Sequence, residues 1–416
     1  MAANAVSQIG NMMTAVAVPW LVLATTGSAV QVGLVGAAIA IGWVVPAILG
    51  GPLVDRLGLR RTSVAGDLLS ALTVATIPIL QLLGVLQFWQ LLALVFLLSA
   101  FNAQGQTARF GLVPELAGRG ALSLERANST DRAIARAGQL AGPVLAGVLI
   151  LVIGSTGVLF LDAATFGLSA LFVGMGVRSG AAPASAPAQT TYGAELQAGV
   201  RFLVGHRLIF SMIVLALLGN FFDVPLLSVV LPVYASEVYG SPTSLGLMLA
   251  AFAGGALAGT VAFGAVGSRL PRRAVFLWGW LLAVVIAYGA LALQLSEAAV
   301  VLAAVVAGLV AGPINPILET VVQEHTPPEL MGRVFGAFVA FAQAGIPVGA
   351  AVAGLVIEGA GLINTIAVAG ALYVVVIGLM FFNPALRSME GRRAPAEPIP
   401  LEAPQGRQSA TMKAGL

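Results

Sequence analysis

Residues 114–119 read PELAGR and residues 328–333 read PELMGR; five of six letters agree, 214 positions apart. A charged hexapeptide written twice is informative because charge is scarce in this chain. Of 416 residues, 59% are hydrophobic and 9% charged, and the mean hydropathy is +0.98. Soluble domains carry about 25% charge. A second pair repeats at nearly the same distance: residues 51–61 read GPLVDRLGLRR, and residues 264–273 read GAVGSRLPRR, offset by 213. Two independent matches at one period indicate two homologous halves.

The apolar runs between these loops set the fold class. A membrane-crossing helix needs about 20 apolar residues, because the hydrocarbon core is about 30 Å thick. Twelve stretches qualify: 3–25, 32–54, 62–84, 89–111, 132–153, 157–177, 208–234, 245–267, 274–295, 298–321, 334–357 and 362–383. They lack the strict alternation of barrel strands. The expected fold is therefore all-α and integral to a membrane, with twelve helices in two pseudo-symmetric six-helix halves. The halves span 1–177 and 208–383. Between them, 178–207 reads as a cytoplasmic linker with a short amphipathic helix, and 384–416 as a disordered cytoplasmic tail.

Charge placement orients the chain. All 20 Lys and Arg fall in the tail or in and around alternate connections, all on one side, whereas the opposite loops hold only Glu237, Glu297 and Glu358. Basic loops stay in the cytoplasm, so both termini are expected there, in a multi-pass protein of a bacterial cytoplasmic membrane. The first run has no basic residue before it, so no cleaved leader is expected. Nucleic acid is excluded as a partner despite a pI of 9.7, because the basic residues lie in short loops rather than on one domain face. Cysteine is absent, which removes thiol nucleophiles, disulfides and thiolate metal sites. His206 and His325 have no metal-ligand spacing, and no phosphate-binding Walker pattern occurs. Neither a catalytic group, a metal nor a cofactor is expected.

Gly51, Asp55, Arg56 and Gly58, followed by Arg60 and Arg61, place this loop between helices 2 and 3. In that position the pattern resembles the major facilitator superfamily, with Leu59 where the family carries its first Arg and Ser268 replacing the acid in the second copy. The stretches SQIGNMMTAVAVPWLV (7–22), ARFGLVPEL (108–116), AGPVLAGVL (141–149), FLDAATFGLSAL (160–171), ELQAGVRFLVGHRLI (195–209) and TPPELMGRVFGAF (326–338) are similar to the drug:proton antiporter branch, which contains macrolide-efflux-like proteins and the enterobactin exporter. One departure is Asn11, where that branch often carries Asp.

Polar residues in the spans are costly and turn toward the bundle interior or a wet cavity. Helix 1 carries Asn4, Gln8 and Asn11; helix 4 carries Ser99, Asn102 and Gln106. Helix 7 carries Asn220 and Asp223, and helix 10 carries Asn315, Glu319 and Gln323. Each set occupies one helical face. The resemblance implies that these four helices line a central substrate cavity. The plainer reading is interhelical hydrogen bonding, worth about 0.6 kcal/mol per bond. Three acids are proton-coupling candidates. Asp223 is foremost, about 23 Å from the cytoplasmic end of its helix and two residues before Pro225; Glu319 and Asp162 follow.

A cytoplasmic gate is expected from Gly51, Asp55, Arg56, Gly58, Arg60, Arg61, Asp67 and Arg109, with Glu115, Arg119, Arg269, Glu329 and Arg333 at the equivalent corners. The two hexapeptides would be symmetric brackets at symmetric hinges; plain solvation of the loops is the alternative. Together these features imply a monomeric secondary transporter in a lipid bilayer, exporting a small amphipathic or hydrophobic molecule, drug-like or siderophore-like, by alternating access in exchange for protons. An importer or uniporter on the same fold stays open. An integral-membrane enzyme is disfavoured for want of a catalytic constellation.

Overall fold

The computed structural model describes residues 2–49, 57–119, 123–177, 200–327 and 330–390. Among them there is no strand. Four helices open the chain: α1 (Ala2–Thr26), α2 (Ala29–Leu49), α3 (Leu59–Leu82) and α4 (Phe88–Arg119). Next comes a 53-residue helical stretch, Leu124–Gly176. Its length of about 80 Å is far more than a bilayer core accepts. Gly154, at φ 72° and ψ 167°, divides it into α5 (124–153) and α6 (155–176). Only glycine adopts that conformation readily. Eleven helical stretches are long and apolar enough to cross a bilayer, and Gly154 makes one of them two.

The second half holds α7 (Arg207–Tyr239), α8 (Pro242–Val266), α9 (Arg272–Ala292), α10 (Glu297–Ala311 continuing as Ile314–His325), α11 (Met331–Gln343 continuing as Gly345–Ala360) and α12 (Leu362–Phe381). Three of these helices are irregular where proline removes a donor. Pro313 interrupts α10, Pro347 follows the break at Ala344 in α11, and Pro225 in α7 precedes a π-helical segment, Leu226–Val230. Helices α4 and α5 extend well beyond the expected 89–111 and 132–153. Ser123 caps α5 by accepting from the Arg126 amide at 3.3 Å.

Small residues set the packing, as expected where no hydrophobic effect drives helices together. Within the second half, Gly255 and Gly259 of α8 lie on the backbone of α10 at Val305 and Leu309. The halves meet along two seams. In one, Gly33 of α2 lies against Ala350 and Gly354 of α11; in the other, Gly147 and Pro143 of α5 lie against Pro242, Thr243 and Gly246 of α8. Both seams lie toward the Arg-free end of the bundle. Large apolar side chains cover the outside, with Phe382 84% exposed and Val152 74%. This is the surface that lipid covers.

The tail does not follow expectation at its start. Pro384–Glu390 forms a 3-10 turn with Leu386 and Met389 buried, because these two apolar side chains can reach the core. The rest of the tail, and residues 178–199 of the linker, lie outside the described residues. Residues 200–205 are helical, with Leu203 buried and Arg201 exposed.

Candidate functional site

The second half encloses a cavity of about 270 Å³ between α7, α8, α9 and α10. Its polar lining consists of Asn220 and Asp223 from α7, Trp280 and Tyr288 from α9, and Asn315 from α10; Met248, Phe252 and Leu318 are among the apolar groups. A donor chain orients the acid. The Trp280 indole N–H donates to the Tyr373 hydroxyl of α12, and that hydroxyl donates to Asp223 Oδ2 at 2.8 Å. The Tyr373 ring stacks on Phe222, with centroids 4.7 Å apart and planes at 18°. Tyr288 meets Tyr373 edge-on and donates to the Phe222 carbonyl at 3.1 Å. The Phe222 carbonyl also accepts from the Leu226 amide, so Tyr288 adds a second donor to it. Asp223 is thus held in one orientation by aromatic groups whose own positions are fixed by stacking.

Of the four polar stripes, the α7 and α10 sets meet here, through Asn220, Asp223 and Asn315. Asn220 also donates to the Ala342 carbonyl at 2.8 Å, at the break in α11. Glu319 is exposed one turn further along α10. The α1 and α4 stripes form a separate network in the first half. Asn102 donates to Asn11 at 2.7 Å, Gln106 to Asn102 at 3.2 Å, and Asn4 to Asp131 at 2.6 Å. Gln8 is half-buried beside Gly138 of α5. The single chamber expected from all four stripes therefore differs from this cavity, which the second half builds alone. The reason is that the first-half amides find each other and Asp131. Asp162 is fully buried elsewhere, between α1 and α6. It accepts from Thr14 at 2.5 Å and from Thr165 at 3.0 Å.

Among the expected gate residues, Gly58 precedes α3 at φ 80°. Arg60 donates to the Gly174 carbonyl at the end of α6. Asp67 of α3 pairs with Arg109 of α4 and accepts from Ser169 of α6 at 2.6 Å. Arg61 and Arg269 are exposed, and Arg333 is half-buried. Gly51, Asp55, Arg56 and Glu329 lie outside the described residues, as do the side chains of Glu115 and Arg119. The second half repeats the Arg60 arrangement: Arg273 donates to the Phe381 carbonyl at the end of α12, at 2.5 Å. Both described ion pairs, Asp67–Arg109 and Arg272–Glu324, stay within one half. A polar bridge between halves occurs instead at the Arg-free end. Glu358 of α11 accepts from the Ser28 hydroxyl at 2.7 Å and from the Val30 amide at 3.1 Å. It thereby sits on the N-terminus of α2, where a carboxylate is favoured. Sequence reading had placed Glu358 only as a loop acid. Asp131 and Tyr373 were missed altogether, since neither stands out until the helices are packed.

Among the described residues no cluster of His, Asp and Glu can hold a metal ion. Residues 1–408 match the family model described as transmembrane secretion effector. The chain is 33% identical over 386 residues to the multidrug efflux pump Tap of Mycolicibacterium fortuitum, covering 92% of this chain and 94% of that protein. It is 34% identical over 403 residues to the Tap pump of Mycobacterium tuberculosis, covering 93% of each. Among solved structures, a point variant of the nucleoside transporter NupG superposes with a TM-score of 0.73 at 15% identity, covering 92% of this chain and 98% of that one. Fold, family and sequence agree: the chain is a multi-pass membrane transporter, not an enzyme, and belongs to the transmembrane secretion effector family of the major facilitator superfamily.

Proposed function

We propose that this protein exports small amphipathic, drug-like molecules by alternating access in exchange for protons. The observation that carries the reading is the second-half cavity. A carboxyl, two amides and a ring of aromatic groups converge on an otherwise apolar space of about 270 Å³, near the lower bound of drug-binding pockets. Asp223 is the group that takes and releases the proton, with Tyr373 and Trp280 holding it toward the cavity. Asn220 and Asn315 offer both donors and acceptors to a passing molecule. Likeness to the Tap pumps over nearly the whole chain supports export of drugs over import.

In the proposed cycle the two halves rock about the cavity. The Arg-rich end faces the cytoplasm, where its brackets make each half move as a unit. Arg60 of α3, bonded to the end of α6, and Arg273 of α9, bonded to the end of α12, both neutralise helix C-termini. In the arrangement described here, the seams and the Glu358 bridge close the outer side.

Everted membrane vesicles with an imposed proton gradient and a panel of antibiotics and dyes test this directly. Asp223→Asn is expected to lose gradient-driven uptake, with an unchanged elution profile on gel filtration. Wild-type gradient-driven uptake in that variant would remove Asp223 from the mechanism.

A further inference from the structure

The second half has another cavity, of about 400 Å³, at its Arg-rich end. It lies between the start of α9, the end of α12 and the turn Pro384–Glu390. Pro271, Arg273, Trp278, Phe381, Arg387 and Glu390 line it. Two guanidinium groups there have unmet donors. Arg387 has no hydrogen-bond or ion-pair partner among the described residues. Arg273 spends one terminal nitrogen on the Phe381 carbonyl, while its Nε is buried without a partner. A buried donor left unmet is costly. The one acid present, Glu390, is already engaged, accepting from the Arg273 amide at 3.2 Å. With two cations and one anion the lining carries a net charge of +1.

The surface leading away from this cavity is apolar. Trp278, Leu282 and Val285 are exposed at helical spacing on α9, and Val375, Leu379 and Phe382 are exposed on α12. The Trp278 ring meets Phe381 edge-on at 5.1 Å, beside the two arginines. An indole at that level marks the boundary between headgroups and hydrocarbon. Basic pockets between helices at this boundary recognise lipid phosphates.

We propose that this corner is a binding site for an anionic phospholipid with an uncharged headgroup. Its phosphodiester bridges the Arg273 and Arg387 guanidinium groups that line the cavity, and its acyl chains follow the exposed faces of α9 and α12. A single negative charge neutralises the lining. A zwitterionic lipid brings no net negative charge, so it leaves the +1 of the lining unneutralised. A free phosphate would satisfy the arginines but leave the apolar stripes without a partner. The bound lipid ties the turn after α12 to the start of α9. The proposal is independent of which molecule the protein carries.

Thermal unfolding of the purified full chain in a neutral detergent provides the test. Phosphatidylglycerol, phosphatidylcholine and glycerol 3-phosphate are added separately. Phosphatidylglycerol at about 100 times its dissociation constant is expected to raise the midpoint by about 3–5 °C, and the other two by much less. Arg387→Gln should lose most of that rise while keeping its own midpoint in detergent, because the side chain is exposed and bonds nothing described. Arg201→Gln, at another exposed arginine on the same end, should keep it. Equal rises with phosphatidylglycerol and phosphatidylcholine would overturn the proposal. So would an equal rise with glycerol 3-phosphate, an unchanged response in Arg387→Gln, or equal losses in the two variants. Native mass spectrometry of wild type and Arg387→Gln gives a second readout: retained phosphatidylglycerol adducts are expected in the first and depleted in the second.

Discussion

The seam between α2 and α11 makes a quantitative prediction. Gly354 is buried there, and a methyl group added to it would meet the Ala29 carbonyl and the Cα atoms of Gly33 and Val30, each of those at 3.1 Å. All three are backbone, so no side-chain rotation relieves the contact. Overpacking of this kind costs about 1–3 kcal/mol. Gly354→Val should impose that cost on the outer-closed arrangement and remove it when the seam parts. The ratio of outer-open to outer-closed molecules should therefore rise about 5- to 150-fold. The chain has no cysteine, so cysteines placed at Thr26 on α1 and Ala360 on α11 would be its only labelling sites. Both are exposed at the Arg-free end, one on each half. Pulsed electron spin resonance between the two labels should show a longer-distance population growing in Gly354→Val. Gly255→Val supplies the contrast. That glycine packs on Val305 within the second half, so its cost falls on every state of the cycle. It should lower the yield of folded protein without changing the distance distribution. An unchanged distribution in a folded Gly354→Val protein would show that this seam does not move during transport. A shift in Gly255→Val would refute the idea that each half moves as a unit.

The same label pair tests the outer bridge: Glu358→Ala should increase the longer-distance population, since the α2 N-terminus loses its carboxylate, and an unchanged distribution would mean the bridge is incidental. His206 predicts a pH dependence of stability. Its Nδ1 accepts from the Ile209 amide at 3.4 Å, which requires an unprotonated nitrogen. Burial, followed by His325 at a centroid distance of 5.7 Å, pushes it below its ordinary value of 6.5. The unfolded chain therefore takes up the proton first as pH falls. His206 should contribute stability above about pH 6.5 that is lost as pH drops through the depressed folded-state value. Thermal midpoints measured from pH 8 to pH 5 should decline on the acid side and do so less in His206→Gln.

Features carried by long stretches were legible in the sequence. Runs of about 20 apolar residues need no neighbour to be recognised, and the alternate-loop arginines depend only on counting crossings. Interruptions were harder. Pro313 breaks α10 and Pro347 follows a break in α11, yet proline is common inside membrane helices and does not by itself end one. Asp131 lies just before the apolar run that starts at 132, where hydropathy falls before the helix ends, and only the packed bundle brings it to Asn4. Tyr373 posed the greater difficulty. In an apolar run a lone tyrosine reads as packing or as lipid contact. Its role depends on α12 closing the half against α7, a contact between residues 150 positions apart. Of the helices that carry the four stripes, only α7 and α10 line the described cavity, because Asn11, Asn102 and Gln106 hydrogen-bond among themselves.

The two halves preserve one device and exchange its chemistry. In the first, Asp162 on α6 accepts from Thr14 on α1; in the second, Tyr373 on α12 donates to Asp223 on α7. Each half thus joins its first and last helices through a carboxyl–hydroxyl bond, with the acid on opposite partners. A glycine lies four residues before the polar group of the first helix in both: Gly10 against Asp162 and Thr165, and Gly219 against Trp280 and Tyr373. The two sites differ in what surrounds the acid. Threonines and the bare backbone of Gly10 close around Asp162, which has no exposed surface. Large aromatic groups hold Asp223 from one side and leave it lining a cavity. A proton carrier must be reached by protons, so under the proposed function the bond at Asp162 is structural and the one at Asp223 is the coupling site. Asp162→Asn can keep an acceptor toward Thr14, and it should therefore retain proton-driven transport while lowering the thermal midpoint. If a folded Asp162→Asn protein instead lost gradient-driven uptake in everted vesicles and Asp223→Asn kept it, the exchange would run the other way, and the proton site would belong to α6.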